Sequence, residues 1–186
     1  KLRYWANGTW IDSMFDRVIS SLQGKGLLEN SLIVYLSDHG EMLGDRFYRF
    51  GKSCFYESSV RVPLILAGSR VPAGRRGSLD ERPAELVDVV PTLLAAAGIE
   101  APDQLAGADL LGPVCRSGAF SELHQSRYPC TLSHYMWRTP EAKLILHSDH
   151  GGAGPMHAAE ATRGELFNLV DDPAEWYDLY HDPVHA

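Results

Sequence analysis

The chain has 186 residues, 45% of them apolar and 22% charged, with a formal net charge of −7. That is enough sequence to bury one sizeable core, and its composition excludes collagen-like, low-complexity and disordered classes. The longest apolar runs, such as Leu64 to Ala67 and Leu93 to Ala97, fall far short of the ~20 residues needed to span a bilayer, so no membrane contact is expected. Charge is unevenly spread: residues 1–76 carry 11 Lys/Arg against 7 Asp/Glu, and residues 77–186 carry 6 against 17. A polyanion wants a basic surface, so nucleic acid is not an expected partner, whereas a small anion in the first part is compatible. The opening residues show no apolar signal segment, and the expectation is a soluble chain of cytoplasmic or periplasmic location, with the compartment undetermined. Three cysteines without a CxxC pair give no disulfide framework.

In chain order, Ile11, Met14, Phe15, Val18 and Leu22 recur at helical spacing and predict an amphipathic helix over 2–23 that ends at Gly24 and Gly26. The run Leu32-Ile33-Val34-Tyr35-Leu36 lacks alternation, which predicts a strand buried on both faces of a largely parallel sheet, with a second strand over 62–67 entered at Pro63. Between them lies a long polar loop. Leu86, Val89, Val90, Leu93 and Leu94 predict a helix over 84–97 stopped by Gly98. Residues 135–138 and 143–146 read as an antiparallel hairpin, with further short strands at 119–122 and 164–168, and the tail as acidic turns with the aromatics Trp176, Tyr177 and Tyr180. The expected architecture is α/β, with residues 1–118 forming a sheet covered by helices and residues 119–186 a small antiparallel subdomain.

The segment Ser37-Asp38-His39-Gly40-Glu41 follows the buried strand directly, and strand ends of open α/β sheets face the ligand crevice. Asp38 and His39 supply one hard oxygen and one imidazole nitrogen, a mix that suits Mn²⁺, Zn²⁺ or Ca²⁺. The alternative is a turn cap at Asp38, a solvated His39 and a Gly40 serving a positive φ; spacing alone does not separate the two. Arg46, Arg49 and Lys52 put three cations in the same loop. Arg46 and Arg49 read as solvated, while Lys52 could present a point charge to a tetrahedral oxyanion. Ser148-Asp149-His150-Gly151 repeats the first motif, but its flanks differ, and it reads as a hairpin loop. His124 and His134 have no partner at ligand spacing and read as structural, as do Cys54, Cys115 and Cys130, each taken as a small half-buried thiol.

Four blocks in order carry a resemblance. They are Tyr35 to Asp45; Gly51-Lys52 through Phe55-Tyr56-Glu57 to Leu64; Leu86-Val87-Asp88-Val89-Val90-Pro91-Thr92-Leu93-Leu94 with Ala97-Gly98-Ile99; and Glu165-Leu166-Phe167-Asn168 through Asp172-Pro173-Ala174-Glu175. Together they resemble the second half of the sulfatase catalytic domain, within the alkaline-phosphatase-like superfamily, plus its C-terminal subdomain. The resemblance implies a three-layer αβα fold, present in part, and a metal-dependent sulfuric ester hydrolase acting on a small sulfate or phosphate ester. It implies Asp38 and His39 as metal ligands, most readily for Ca²⁺ or Mn²⁺, and Lys52 as the contact to the sulfate or phosphate group. His39 stands where many arylsulfatases have Asn, and resembles the choline-sulfatase and phosphonate-monoesterase branch. The family's Asp-Asp metal pair and its Cys-x-Pro-x-Arg signature, whose Cys becomes formylglycine, are absent from these 186 residues. The resemblance therefore implies a fragment that is inactive alone, its exposed sheet covered by an N-terminal half or a second copy. Two other functions stay open: a phosphonate or phosphate ester hydrolase of the same superfamily, and a non-catalytic half-domain that binds a partner.

Overall fold

The computed structural model describes residues 1–127, 130–148, 161 and 163–184, with the side chains of 125–127 and 130–132 left aside. Helix α1 (Leu2–Gly24) leads through a 3-10 turn at Leu28–Asn30 into strand β1 (Leu32–Leu36). Two four-residue helical turns follow, α2 (Asp45–Tyr48) and α3 (Glu57–Val60), and then strand β2 (Leu64–Gly68). A 3-10 turn at Leu86–Asp88 opens α4 (Val89–Ala97), which is closed by Gly98 at φ 71°. Strands β3 (Ala119–Arg127), β4 (Cys130–Arg138), β5 (Ala142–Ser148) and β6 (Arg163–Asn168) form one antiparallel sheet in the order β3-β4-β5-β6. Among the described residues no helix is long and apolar enough to cross a membrane.

The α/β class, the first helix and the C-terminal antiparallel sheet stand as the sequence implied. Strand pairing differs. β1 and β2 run antiparallel, Leu32 opposite Gly68 and Leu36 opposite Leu64. Burial on both faces is not met either: Leu32 to Tyr35 are half-buried and Leu36 is exposed, because β1 has only β2 beside it in a two-stranded sheet. An unalternated run also does not say which way the neighbour points. A parallel return needs a crossover, usually a full helix, and the segment between these strands holds only two single turns. The second strand begins at Leu64, after Pro63, where the missing N–H breaks no ladder bond. β3 extends to nine residues where four were expected, because it pairs along its whole length with β4.

The core lies between the segment 42–60 and one face of the C-terminal sheet. Met42, Phe55 and Tyr56 from the first pack with Met136, Ile145, Phe167 and Leu169 from the second. Phe167 and Met42 are 0% and 1% exposed, and Tyr56 meets Phe167 edge-on at 6.2 Å between ring centroids. The loop after β1 is thus fixed by the sheet that begins eighty residues later in the chain.

Candidate active site

β1 ends at Leu36, and Ser37 to Gly40 turn the chain away from the strand end. The Ser37 hydroxyl donates to His39 O at 2.9 Å, and the His39 backbone N–H donates to Asp38 Oδ1 at 3.0 Å, which pins the turn locally. Gly40 N–H donates to Ser59 O at 2.7 Å. A Cβ on Gly40 would stand 2.1 Å from Ser58 O, so only glycine allows this approach of the two chain segments.

The imidazole of His39 is held at both nitrogens. Nδ1 lies 2.9 Å from Gly40 O, an acceptor, so the proton belongs on Nδ1 and the lone pair on Nε2. That Nε2 lies 2.5 Å from Lys52 Nζ and 3.4 Å from Asp38 Oδ2. Asp38, His39 and Lys52 therefore converge on one point at the strand end. The Asp38 side chain is 80% exposed and that of His39 39% exposed, so the point is open to solvent and ligands. Desolvation works against the Asp38 carboxylate, but the His39 backbone N–H, the His39 ring and the Lys52 charge together hold its pKa below the usual value.

Lys52 reaches this point because the loop doubles back. Met42 N–H bonds to Gly51 O at 3.0 Å and Gly44 N–H to Arg49 O at 2.7 Å, closing a narrow hairpin whose tip carries positive φ at Arg46, Phe47 and Tyr48. Glu41 Oε1 accepts the Gly51 N–H at 2.5 Å, and the Ser59 hydroxyl donates to Lys52 O at 2.8 Å. Glu41 and Ser59 are supports that patterning did not single out. Both lie inside matching blocks, but neither falls on a periodic face.

Arg46 does not reach this point. Its guanidinium lies 4.0 Å over the Tyr56 ring, with one nitrogen buried without a hydrogen-bond partner. Arg49 sits 5.4 Å from the same ring. Tyr56 donates to Glu165 Oε2 at 2.7 Å, and burial, reinforced by that carboxylate, pushes its phenol up to about 12. His124 Nδ1 pairs with Ser133 Oγ at 2.8 Å, and His134 Nδ1 with His147 Nδ1 at 2.7 Å, so both find partners within the sheet. Cys54 is half-buried, whereas Cys115 is exposed rather than half-buried, 3.5 Å from an Arg82 nitrogen, because the 101–118 segment follows the surface. The repeat at Asp149 and His150 lies outside the described residues. Among the described residues no group of three or more His, Cys, Asp or Glu is placed to hold a metal, so Asp38 and His39 stand as a pair.

The chain matches the Sulfatase family model over residues 2–99, which contains the whole site. It is 33% identical over 183 residues to arylsulfatase K of Bos taurus, covering 92% of this chain and 32% of that protein. Against the uncharacterized sulfatase YidJ of Escherichia coli K12 it is 30% identical, covering 96% of this chain and 34% of the relative. Its fold superposes on a sulfatase structure from Bacteroides thetaiotaomicron with TM-score 0.78 at 24% identity, over 94% of this chain and 37% of that one. On BT4656, solved with its substrate D-glucosamine-2-N,6-O-disulfate, the TM-score is 0.72 at 27% identity, over 95% and 35%. The chain spans about a third of the length of the curated relatives it matches. The family model matches more than half of the chain, and this chain belongs to the sulfatase family.

Proposed function

We propose that this chain supplies two metal ligands, Asp38 and His39, and the anion-contacting Lys52 of a sulfuric ester hydrolase. The observation that carries the reading is the convergence of Asp38 Oδ2, His39 Nε2 and Lys52 Nζ within 3.4 Å of the imidazole nitrogen. The donor set fits a divalent cation. His39 presents a lone pair at Nε2, its tautomer set by the Nδ1 bond to Gly40 O, and an ionised oxygen lies 3.4 Å away. That spacing is what two neighbouring ligands show when each lies about 2.1–2.4 Å from one ion. Such an ion, Ca²⁺ or Mn²⁺ by the family resemblance, would polarise an ester oxygen and lower its negative charge. The protein groups do the rest: Asp38 neutralises, His39 orients, and Lys52 places a fixed cation against the oxygens of the transferred group, where charge grows in the transition state.

None of the three cysteines lies in a Cys-x-Pro-x-Arg sequence, and no described residue near Lys52 is an activated nucleophile, so residues 1–186 alone should turn over no sulfate ester. The disulfated glucosamine bound by BT4656 supports a carbohydrate sulfate as the substrate class. The second reading, a phosphonate or phosphate ester hydrolase, draws on His39 at a position where many arylsulfatases carry Asn. Assaying the intact protein against an aryl sulfate, a glucosamine sulfate and an aryl phosphonate, with and without a chelator, tests the proposal. Chelator-sensitive sulfate release supports it, and phosphonate hydrolysis without sulfate hydrolysis would replace it with the second reading.

A further inference from the structure

Lys143 lies on β5 in register with Phe167, on the same face as Ile145, where alternation calls for an apolar side chain. It is 0% exposed. Its Nζ lies 2.6 Å from Glu175 Oε1, 2.7 Å from Glu57 Oε1 and 2.9 Å from Phe55 O, so all three ammonium protons have acceptors. Glu175 Oε2 in turn accepts the Glu57 backbone N–H at 2.8 Å, and Arg138 approaches Glu57 at 3.4 Å. Glu175 holds a positive φ of 59°, unfavourable for a residue with a Cβ and tolerated here because both its carboxylate oxygens are bound. Burying three charges is costly and is poor evidence for stability alone.

The Glu57–Val60 turn connects this triad to the site. Its Ser59 hydroxyl binds Lys52 O, and its Ser59 carbonyl binds the Gly40 N–H next to His39. One turn thus touches the backbone on both sides of the site while its first residue is clamped from behind by the C-terminal sheet and the tail.

We propose that Lys143, together with Glu57 and Glu175, is a positioning residue for the site. The triad holds the Glu57–Val60 turn, and through Ser59 it sets the separation of His39 from Lys52. The inference rests on the reading of Asp38, His39 and Lys52 as the site. Its first readout, however, is independent of catalysis.

The test uses the intact protein and two variants: the charge-free Lys143→Met/Glu57→Gln/Glu175→Gln, which keeps the volume, and Ser59→Ala, which cuts the link to Lys52 O. A third, Arg116→Gln, loosens the distant start of α4 and serves as the control for general destabilisation. In the triple variant, amide hydrogen exchange at Gly40 and at residues 52–54 should rise by at least about tenfold over the control, and kcat for a sulfate ester should fall by roughly 10- to 100-fold with KM changed less. Ser59→Ala should raise exchange at 52–54 selectively. Exchange at these amides equal to that of Arg116→Gln would mean a merely structural role and would overturn the proposal. If the triple variant does not fold, Ser59→Ala decides: unchanged exchange at 52–54 overturns it. A wild-type protein with no sulfate ester hydrolysis sinks the functional reading, while the exchange result still judges the positioning.

Discussion

Lys52 Nζ lies 2.5 Å from His39 Nε2 although the two are thirteen positions apart in the chain. A hairpin with Glu41 at its base and Ser59 behind it brings them together, so the backbone at Lys52 is held while its side chain stays exposed.

A preorganised cation beside the point where charge develops is worth more than the same cation in water, because no reorientation is needed at the moment of reaction. In the intact protein, Lys52→Ala should lower kcat/KM for a sulfate ester by roughly 10²–10³, the scale for losing one such donor. Asp38→Ala should cost more, since on the proposed reading it removes a cation ligand. Steady-state kinetics on purified variants decide this, and a Lys52→Ala enzyme within threefold of wild type would return Lys52 to the solvated surface.

Gly40→Ala should disrupt the site without touching a charged group. The added methyl would meet Ser58 O at 2.1 Å, a backbone atom with no rotamer to yield. Relief requires the Gly40–Ser59 hydrogen bond to break and the two segments to part. The expected result is lost activity together with a lower melting temperature, by several degrees for a loss on the order of 1–3 kcal/mol. Full activity in Gly40→Ala would show that this close approach does not govern the site.

Much of this is legible in the sequence. The Leu32–Leu36 run announces a strand, though one half-buried rather than covered on both faces, and Asp38 and His39 follow its end closely. Lys52 was legible only through the resemblance, because a loop's path carries no periodic signal. The antiparallel pairing of β1 with β2 is not legible, since an unalternated apolar run does not encode the direction of its neighbour. Lys143 was read as an ordinary strand residue: sequence shows a lysine in alternation with Leu144 and Ile145, but not the two carboxylates, from positions 57 and 175, that let it turn inward.

Asp88 should govern part of the acid sensitivity. It is 1% exposed, and burial alone would raise its pKa. The Arg116 guanidinium, which grips both its oxygens, and the N–H groups of Ala108 and Glu85 outweigh burial and hold it below the usual carboxylate value. A carboxylate with a depressed native pKa contributes stability that is present above its unfolded value near 3.9 and is lost as pH falls through the native one. Melting temperature should therefore drop steeply below about pH 4, and Asp88→Asn should flatten that drop while lowering stability at neutral pH. An unchanged acid limb in Asp88→Asn would assign the effect to other carboxylates.

The two roles of Lys52 differ in the sign of its effect on metal binding and on turnover. With Nδ1 committed to Gly40 O, the only lone pair His39 can offer a cation is on Nε2, and that lone pair lies 2.5 Å from Lys52 Nζ. Lys52 must release Nε2 before His39 can ligate, and its charge also opposes a divalent cation nearby, by about 2 kcal/mol at 4 Å even in bulk water and by more in a partly enclosed site. Lys52→Ala should therefore tighten divalent metal binding by about fivefold or more, while it lowers turnover. Lys52→Met, which keeps length without charge, should behave in the same way. Chelator competition for Mn²⁺ on the intact protein measures the first quantity and sulfate release the second. If both affinity and rate fall together, Lys52 supports the cation site indirectly, and the assignment of its charge to the transferred anion is wrong. If affinity rises while rate falls, one ammonium group both restrains the ligand pair and serves the substrate.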